Sequence, residues 1–140
     1  LRLGCYHALG HSYTENTSGS LIEYSDVCKN IAPEYVTPCV SGVFHEYIRG
    51  GAESQSHHRY YDTNTPQGDV NCDVFSPEQP EYTICYAALG SFKQYSQSSE
   101  PIYKTKKLCL SAKQIAAKNM CLQAIRERQA ISRGYSFIPK

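Results

Sequence analysis

The 140-residue sequence has no tryptophan, only one methionine, and no apolar run near the length that a membrane span needs. Because a transmembrane helix takes about 20 consecutive apolar residues, the sequence predicts no such helix. The chain also shows no signal peptide, and its first residue is not methionine. We interpret it as a processed or trimmed form.

Motifs of several enzyme and cofactor classes are missing as well. The chain has no phosphate-binding glycine loop, no His-Glu-x-x-His and no Gly-x-Ser-x-Gly. Seven cysteines are present, but no Cys-x-x-Cys pair occurs, which argues against zinc ribbons and c-type haem attachment. These absences favour a protein without catalytic activity.

The cysteines lie far apart along the chain. Ten to twelve residues separate the members of three successive pairs, namely Cys28 and Cys39, Cys72 and Cys85, and Cys109 and Cys121. A high cysteine count at long spacing is typical of a disulfide framework, which forms in an oxidising compartment. We therefore expect an extracytoplasmic protein, that is, one that is secreted, periplasmic or on the cell surface.

An internal repeat with a period of about 80 residues organises the chain. Five of the first six positions match at a shift of 80, and two further cysteines follow at shifts of 81 and 82. The matched pairs are Cys5–Cys85, Tyr6–Tyr86, Ala8–Ala88, Leu9–Leu89, Gly10–Gly90, Cys28–Cys109 and Cys39–Cys121. We predict two tandem three-helix repeats, over residues 1–50 and 81–140, joined by an irregular connector over residues 51–80.

Helix signals dominate the sequence, and few alternating β-branched runs occur, so we predict an all-α fold. Ser20 and Glu23 form a capping box that starts the second helix. Thr37-Pro38 predicts the start of the third helix, with threonine as the N-cap. Gly50-Gly51 predicts the end of that helix.

Helix geometry constrains the disulfide pairing. Residues eleven positions apart in one straight helix are about 16 Å apart, whereas a disulfide needs a Cα separation of roughly 4.4–6.8 Å. Prolines between Cys28 and Cys39 interrupt the helix, so these cysteines are expected to pair across a helical hairpin. The repeat then predicts a bond between Cys109 and Cys121, with a turn near Ala117-Lys118-Asn119.

Cys72 and Cys85 form the third predicted pair, which leaves Cys5 without a partner. The counterpart of Cys5 is Cys85, whose predicted partner Cys72 lies thirteen residues upstream. The equivalent position for Cys5 would precede residue 1 of this sequence. Three alternatives stay open for Cys5: a partner in a removed upstream segment, a bond to another chain, or a free thiol.

Three histidines of repeat one, together with Glu46, are candidate metal ligands. His7 and His11 are four residues apart on one helical face, and His45, followed by Glu46, lies in the third helix. The counterparts of the three histidines in repeat two are Ala87, Ser91 and Glu127. This joint loss indicates a single site in repeat one, for which copper, zinc and haem iron are the candidate ions.

Two other roles for these histidines stay open: they make hydrogen bonds that are purely structural, or they transfer protons in catalysis. Adjacent residues point about 100° apart on a helix, so we expect that His45 and Glu46 do not both point inward. A further pair, His57-His58, lies in the connector, where solvated side chains are the simpler expectation and metal binding the alternative.

Cys5-Tyr6-His7-Ala8-Leu9-Gly10-His11, followed by Cys28 and by Cys39-Val-Ser-Gly-Val-Phe-His-Glu, resembles a domain of uncharacterised exported bacterial proteins. Those proteins carry Cys-Tyr/His-His-Gly-x-Gly-His and then Cys-x-x-Gly-Val-Phe-Met-Glu. The resemblance covers residues 5–47, and this chain departs from it at Ala8, where glycine is expected, and at His45, where methionine is expected. It implies a fold unit and an exported location, but no reaction.

Charge is unevenly distributed along the chain. Residues 1–100 contain 5 basic and 12 acidic residues, whereas residues 101–140 contain 9 basic and 1 acidic residue. Two interpretations of this pattern stay open. The charges lie on solvated helix faces, or they attract a protein partner or another copy of the chain. The oxidising compartment argues against nucleic acid as the partner. We expect a binding or structural subunit of a larger assembly, filamentous if contacts are head-to-tail, with metal or haem binding as the alternative.

Overall fold

The computed structural model describes residues 2–16, 19–53, 70–96 and 102–132. These ranges contain helices and turns but no β-strand, so the all-α prediction is confirmed. Within them, no helix combines the length and apolarity required to cross a membrane. The α-helices are α1 (Arg2–Asn16), α2 (Leu21–Val27), α3 (Pro33–Glu53), α4 (Pro80–Ser96), α5 (Ile102–Ser111) and α6 (Ile115–Ser132), and 3-10 turns lie at Cys28–Asn30 and Cys72–Val74.

The helix boundaries recur with the same shifts as the cysteines. The ends of α1 and α4 are 80 residues apart, the starts of α2 and α5 are 81 apart, and the starts of α3 and α6 are 82 apart. The α2 helix and its 3-10 turn together span the same ten positions as α5. Helices α1–α3 and α4–α6 therefore correspond one to one, and we refer to them as repeat one and repeat two.

One hydrophobic core joins the two repeats. Within each repeat the first helix packs on the third, α1 on α3 and α4 on α6, and the contact between α3 and α4 connects the repeats. The largest fully buried apolar side chains come from α3, α4 and α6, and they are Val40, Val43, Phe44, Tyr82, Leu89 and Ile125. The α4 helix thus lies between α3 and α6.

Glycines allow the first and third helix of each repeat to approach closely. A Cβ atom at Gly10 would come closer than 3.0 Å to the backbone carbonyl oxygen of Cys39, and one at Gly90 would meet the carbonyl oxygen of Cys121 in the same way. Gly10 and Gly90 are counterparts, as are the two cysteines. The same backbone contact therefore occurs twice in the molecule.

All three predicted disulfides are present. The Cα atoms are 5.7 Å apart in Cys28–Cys39, 5.7 Å in Cys72–Cys85 and 5.4 Å in Cys109–Cys121. The turn required for the third bond was predicted near Ala117-Lys118-Asn119, and this position is wrong, because those residues lie inside α6. The break between α5 and α6 comes earlier, at residues 112–114. The hydrogen bond from the amide of Lys118 to the carbonyl of Gln114 already belongs to the first turn of α6.

The predicted start of α2 is confirmed and that of α3 is wrong. Ser20 and Glu23 form the reciprocal capping box. The α3 helix starts at Pro33, where a missing amide costs nothing because it would have no helical partner. Pro38 lies inside the helix and removes one internal hydrogen bond. The helix also continues through the glycines at 50 and 51 to Glu53, since glycine lowers helix propensity without forbidding the helix.

The predicted connector over residues 51–80 is only partly described. Its last ten residues contain the 3-10 turn at Cys72–Val74, which the disulfide to Cys85 attaches to α4. Phe75 is buried there and packs against Phe44 of α3, with ring centroids 5.6 Å apart. His57 and His58 lie outside the described residues.

Candidate histidine site

The three candidate histidines of repeat one come together where α1 packs on α3. The Nε2 atom of His7 lies 3.2 Å from the Nδ1 atom of His45, which is a hydrogen bond when one of the two nitrogens carries a proton. The ring of His11 meets the ring of His45 edge-on, with centroids 5.1 Å apart. We define His7, His11, His45 and Glu46 as the histidine cluster.

The close approach of the helix backbones explains why side chains so far apart in sequence meet. A Cβ atom at Gly42 of α3 would come closer than 3.0 Å to the backbone carbonyl of His7 on α1. Glycines at positions 10 and 42 bring the two backbones into contact, so the imidazole rings beside them lie within hydrogen-bonding distance.

Glu46 is part of the cluster, which contradicts the expectation that His45 and Glu46 cannot both point inward. The Oε2 atom of Glu46 lies 3.0 Å from the Nε2 atom of His11, and the Glu46 side chain is 11% exposed. Adjacent positions on α3 therefore both contact α1, since His11 meets the ring of His45 as well as the carboxylate of Glu46.

Burial lowers the pKa of His7, and the nearby His11 lowers it further. A hydrogen bond to the backbone of Pro38 acts in the opposite direction. Proline has no amide hydrogen, so this partner is the Pro38 carbonyl, which accepts from the imidazole. Charging His7 is therefore less favourable in this environment than in water.

Repeat two does not rebuild this cluster. The counterparts of His7 and His11 are Ala87 and Ser91. The counterpart of His45 is Glu127, an exposed residue that accepts a hydrogen bond from Gln123 at 2.8 Å within α6. The joint loss of the histidines seen in the sequence therefore corresponds to a local difference in structure between two otherwise similar helix pairs.

The cluster has chemical properties that suit proton or metal binding. A carboxylate beside an imidazole orients the ring and stabilises its charged form, as in many acid–base and metal sites. As arranged, His7 and His45 bond each other, and His11 contacts Glu46. In the described part of the chain no group of three or more His, Cys, Asp or Glu side chains is arranged to hold a metal ion. Binding of copper, zinc or haem iron by these four residues stays a prediction.

The structure also contains a polar cluster in repeat two that sequence reasoning missed. The hydroxyl of Tyr82 accepts from the amide of Lys113 at 2.8 Å and donates to Asp73 at 3.3 Å. Burial raises the pKa of Tyr86, which also faces Asp73, to about 12. These contacts tie the 3-10 turn at Cys72–Val74 and the α5–α6 turn to α4. No motif marks them, since the residues are spread over 41 positions of the chain.

A second candidate site is an exposed stripe on α5. Tyr103 and Leu110 are 64% and 56% exposed, and Lys106 and Lys107 lie exposed between them. These four residues follow helical spacing and so share one face. We call them the α5 stripe. The corresponding positions of repeat one are Ile22, Ser25, Asp26 and Lys29, which are not a basic set.

No known protein-family model matches the chain, and no curated protein or solved structure shows significant similarity to it. The resemblance of residues 5–47 to an exported bacterial domain therefore stays a prediction.

Proposed function

We propose that the protein is an extracytoplasmic binding or structural subunit that attaches to an acidic protein surface, either of a partner or of repeat one in another copy. The observation that carries this proposal is the α5 stripe, in which two lysines lie between two exposed apolar side chains. An apolar contact flanked by cations suits a protein surface that presents carboxylates around an apolar patch.

Exposed charge in the described part of the chain supports the same proposal. Repeat one presents the exposed acidic residues Glu23, Asp26 and Glu34, whereas α5 and the α5–α6 turn present lysines. Contacts between unlike ends of identical subunits form rings or filaments. Three disulfides agree with an oxidising compartment, where such an assembly would function.

Sedimentation velocity on the purified protein tests this proposal. We expect assembly, or binding to the native partner, that weakens as salt rises from 50 to 500 mM (about 14 to 4 Å of Debye length). The variant Lys106→Glu/Lys107→Glu should abolish the interaction, and the charge-preserving variant Lys106→Arg/Lys107→Arg should retain it. Equal behaviour of the two variants, or no change with salt, would refute the proposal.

A second candidate function is metal or haem binding at the histidine cluster, which is favoured by the convergence of His7, His11 and His45. A metal ion held here would replace the hydrogen bond between His7 and His45 and would use Glu46 as a ligand or as an orienting partner. Elemental analysis and a visible absorption spectrum of native protein test this idea. Stoichiometric metal that disappears in His7→Ala/His11→Ala would support it, and metal-free native protein would reject it.

A further inference from the structure

Repeat one exposes a helix face that repeat two buries, although the residues are the same. Cys5, Ala8 and Leu9 of α1 are exposed, whereas their counterparts Cys85, Ala88 and Leu89 of α4 are buried. The contrast is large, because Leu9 is 48% exposed and Leu89 is 2% exposed. We call Cys5, Ala8 and Leu9 the α1 face.

The residues preceding α4 help to cover the equivalent face in repeat two. Cys72 forms a disulfide with Cys85, and both cysteines are almost completely buried. Three residues after Cys72, Phe75 packs against Phe44 of α3, the last helix of the other repeat. The equivalent face of α4 is thus covered by a segment that carries a cysteine, and this segment also contacts the third helix of the neighbouring repeat.

The α1 and α4 helices present this face in the same orientation. Gly10 and Gly90 contact the carbonyls of equivalent cysteines on α3 and α6, so each helix turns the same side toward its own repeat. The residues at positions i, i+3 and i+4 then share the other side. A single exposed leucine is ordinary. The α1 face, however, has the same three residue types as the buried face of α4, so it is suited to being buried by a similar segment.

We propose that the α1 face is a docking site for a cysteine-bearing segment of another helical repeat, and that this segment forms a disulfide with Cys5. The segment has the chemistry of Val70–Gln79, with a cysteine followed three positions later by an aromatic residue that reaches the adjoining helix. This inference rests on the proposed binding function and names a second contact of the assembly, separate from the α5 stripe.

The bond requires an oxidant, since two thiols lose two electrons and two protons when they form a disulfide. A small-molecule disulfide such as oxidised glutathione is the reactant, and it is reduced to two thiols in two exchange steps. Cys5 is exposed and accessible to such exchange.

The register of the repeat allows a direct test on the whole chain. Leu1 corresponds to Glu81, so the sequence of residues 70–80 placed directly before Leu1 should bring a cysteine to Cys5 as Cys72 is brought to Cys85. After refolding with oxidised and reduced glutathione, we expect a bond between the added cysteine and Cys5, seen by peptide mapping without reduction. Cys5 should no longer be alkylated, and the melting temperature should rise by about 5 °C or more.

Two variants of the extension and one of α1 distinguish specific docking from the mere proximity of a second thiol. Exchanging the added cysteine with the valine two positions later should remove the rise in melting temperature. Replacing the added cysteine by serine should leave Cys5 open to alkylation. Leu9→Asp changes an exposed residue, so the chain should fold as before but lose most of the stabilisation of the correct extension.

The proposal is overturned if Cys5 of the extended chain stays alkylated, if both cysteine registers stabilise equally, or if Cys5 instead links two copies through a Cys5–Cys5 bond. The α5 variants report on the proposed function independently, because they leave the α1 face intact. Loss of salt-sensitive assembly with a correct Cys5 bond would refute the proposed function alone, and the reverse result would refute this inference alone.

Discussion

The two repeats have the same framework but differ in the surfaces and sites they carry. In both, a glycine of the first helix contacts the carbonyl of a disulfide-bonded cysteine on the third helix. Repeat one adds the histidine cluster and leaves Cys5 exposed, whereas repeat two buries the counterpart of Cys5 and carries the basic α5 stripe. The framework therefore accommodates different side chains outside its shared glycine and cysteine positions, and these differences are where the two repeats can differ in function.

Removing one disulfide at a time gives the largest expected effect on this comparison. Each bond closes a loop of similar length, 11 residues for Cys28–Cys39 and 12 for Cys109–Cys121. The double alanine variants should therefore lose similar free energies of unfolding, about 2–4 kcal/mol each. Denaturant unfolding measures both, and Cys5→Ser is the matched control, which should change little. A loss confined to one repeat would show that the repeats are not equivalent.

The two helix contacts at Gly10 and Gly90 should respond alike to a methyl group. Alanine at either position would collide with a backbone carbonyl that no side-chain rotation can move. We expect each variant to lose about 1–3 kcal/mol, as overpacked cores do. Gly4→Ala is the control, because no heavy atom lies within 4 Å of its added methyl group and alanine is the better helix former. If all three variants were equally stable, the close approach of the helices would be disproved.

The start of α2 provides a smaller and more local test. Ser20→Ala removes the hydroxyl that accepts from the amide of Glu23, and caps of this kind contribute about 1 kcal/mol. Repeat two starts the equivalent helix at Ile102 and contains no equivalent serine in the register of the repeat, since position 101 is proline. Thermal unfolding should show a modest decrease for Ser20→Ala and little change for Ser20→Asp, which keeps a side-chain oxygen at the N-cap.

The histidine cluster should make the stability of the protein depend on pH. The pKa of His7 is lower in the folded protein than its ordinary value of 6.5, so the unfolded chain binds a proton more readily as the pH falls. Stability should therefore be highest above about pH 6.5 and decrease below it. Denaturant unfolding at pH 7.5 and pH 5.5 should show a smaller difference for His7→Ala, which installs the residue of repeat two. If the loss of stability between pH 7.5 and pH 5.5 were the same in His7→Ala as in the native protein, His7 would not be a source of the pH dependence.

The capping signal of α2 and the internal repeat were the features of the sequence that predicted the fold well. The capping box at Ser20 depends on residues three positions apart, and the disulfides followed from the repeat and from the reach of a cysteine pair. The α5–α6 turn was misplaced because residues 112–114, Ala-Lys-Gln, include neither glycine nor proline. Pro38 was misread because a proline inside a helix and one at its first turn look alike until the neighbouring contacts are known.

The candidate site was predicted in part. The joint loss of three histidines from repeat two indicated that they belong together, and the structure brings them together. Glu46 was included among the candidate ligands, but the inward orientation of both His45 and Glu46 was not expected, because a helical wheel describes one helix and contains no information on how closely the next helix approaches. Gly42 was the available signal, since a glycine facing another helix permits contact between two adjacent positions and one partner.

The disulfide map of the native protein, obtained by mass spectrometry of a digest made without reduction, tests the central claim most directly. Both repeats use one disulfide framework, and Cys5 is the cysteine outside it. We predict the bonds Cys28–Cys39, Cys72–Cys85 and Cys109–Cys121, with Cys5 free or joined to a cysteine of a partner segment outside residues 1–140. A bond between Cys5 and any of the six other cysteines would contradict the account.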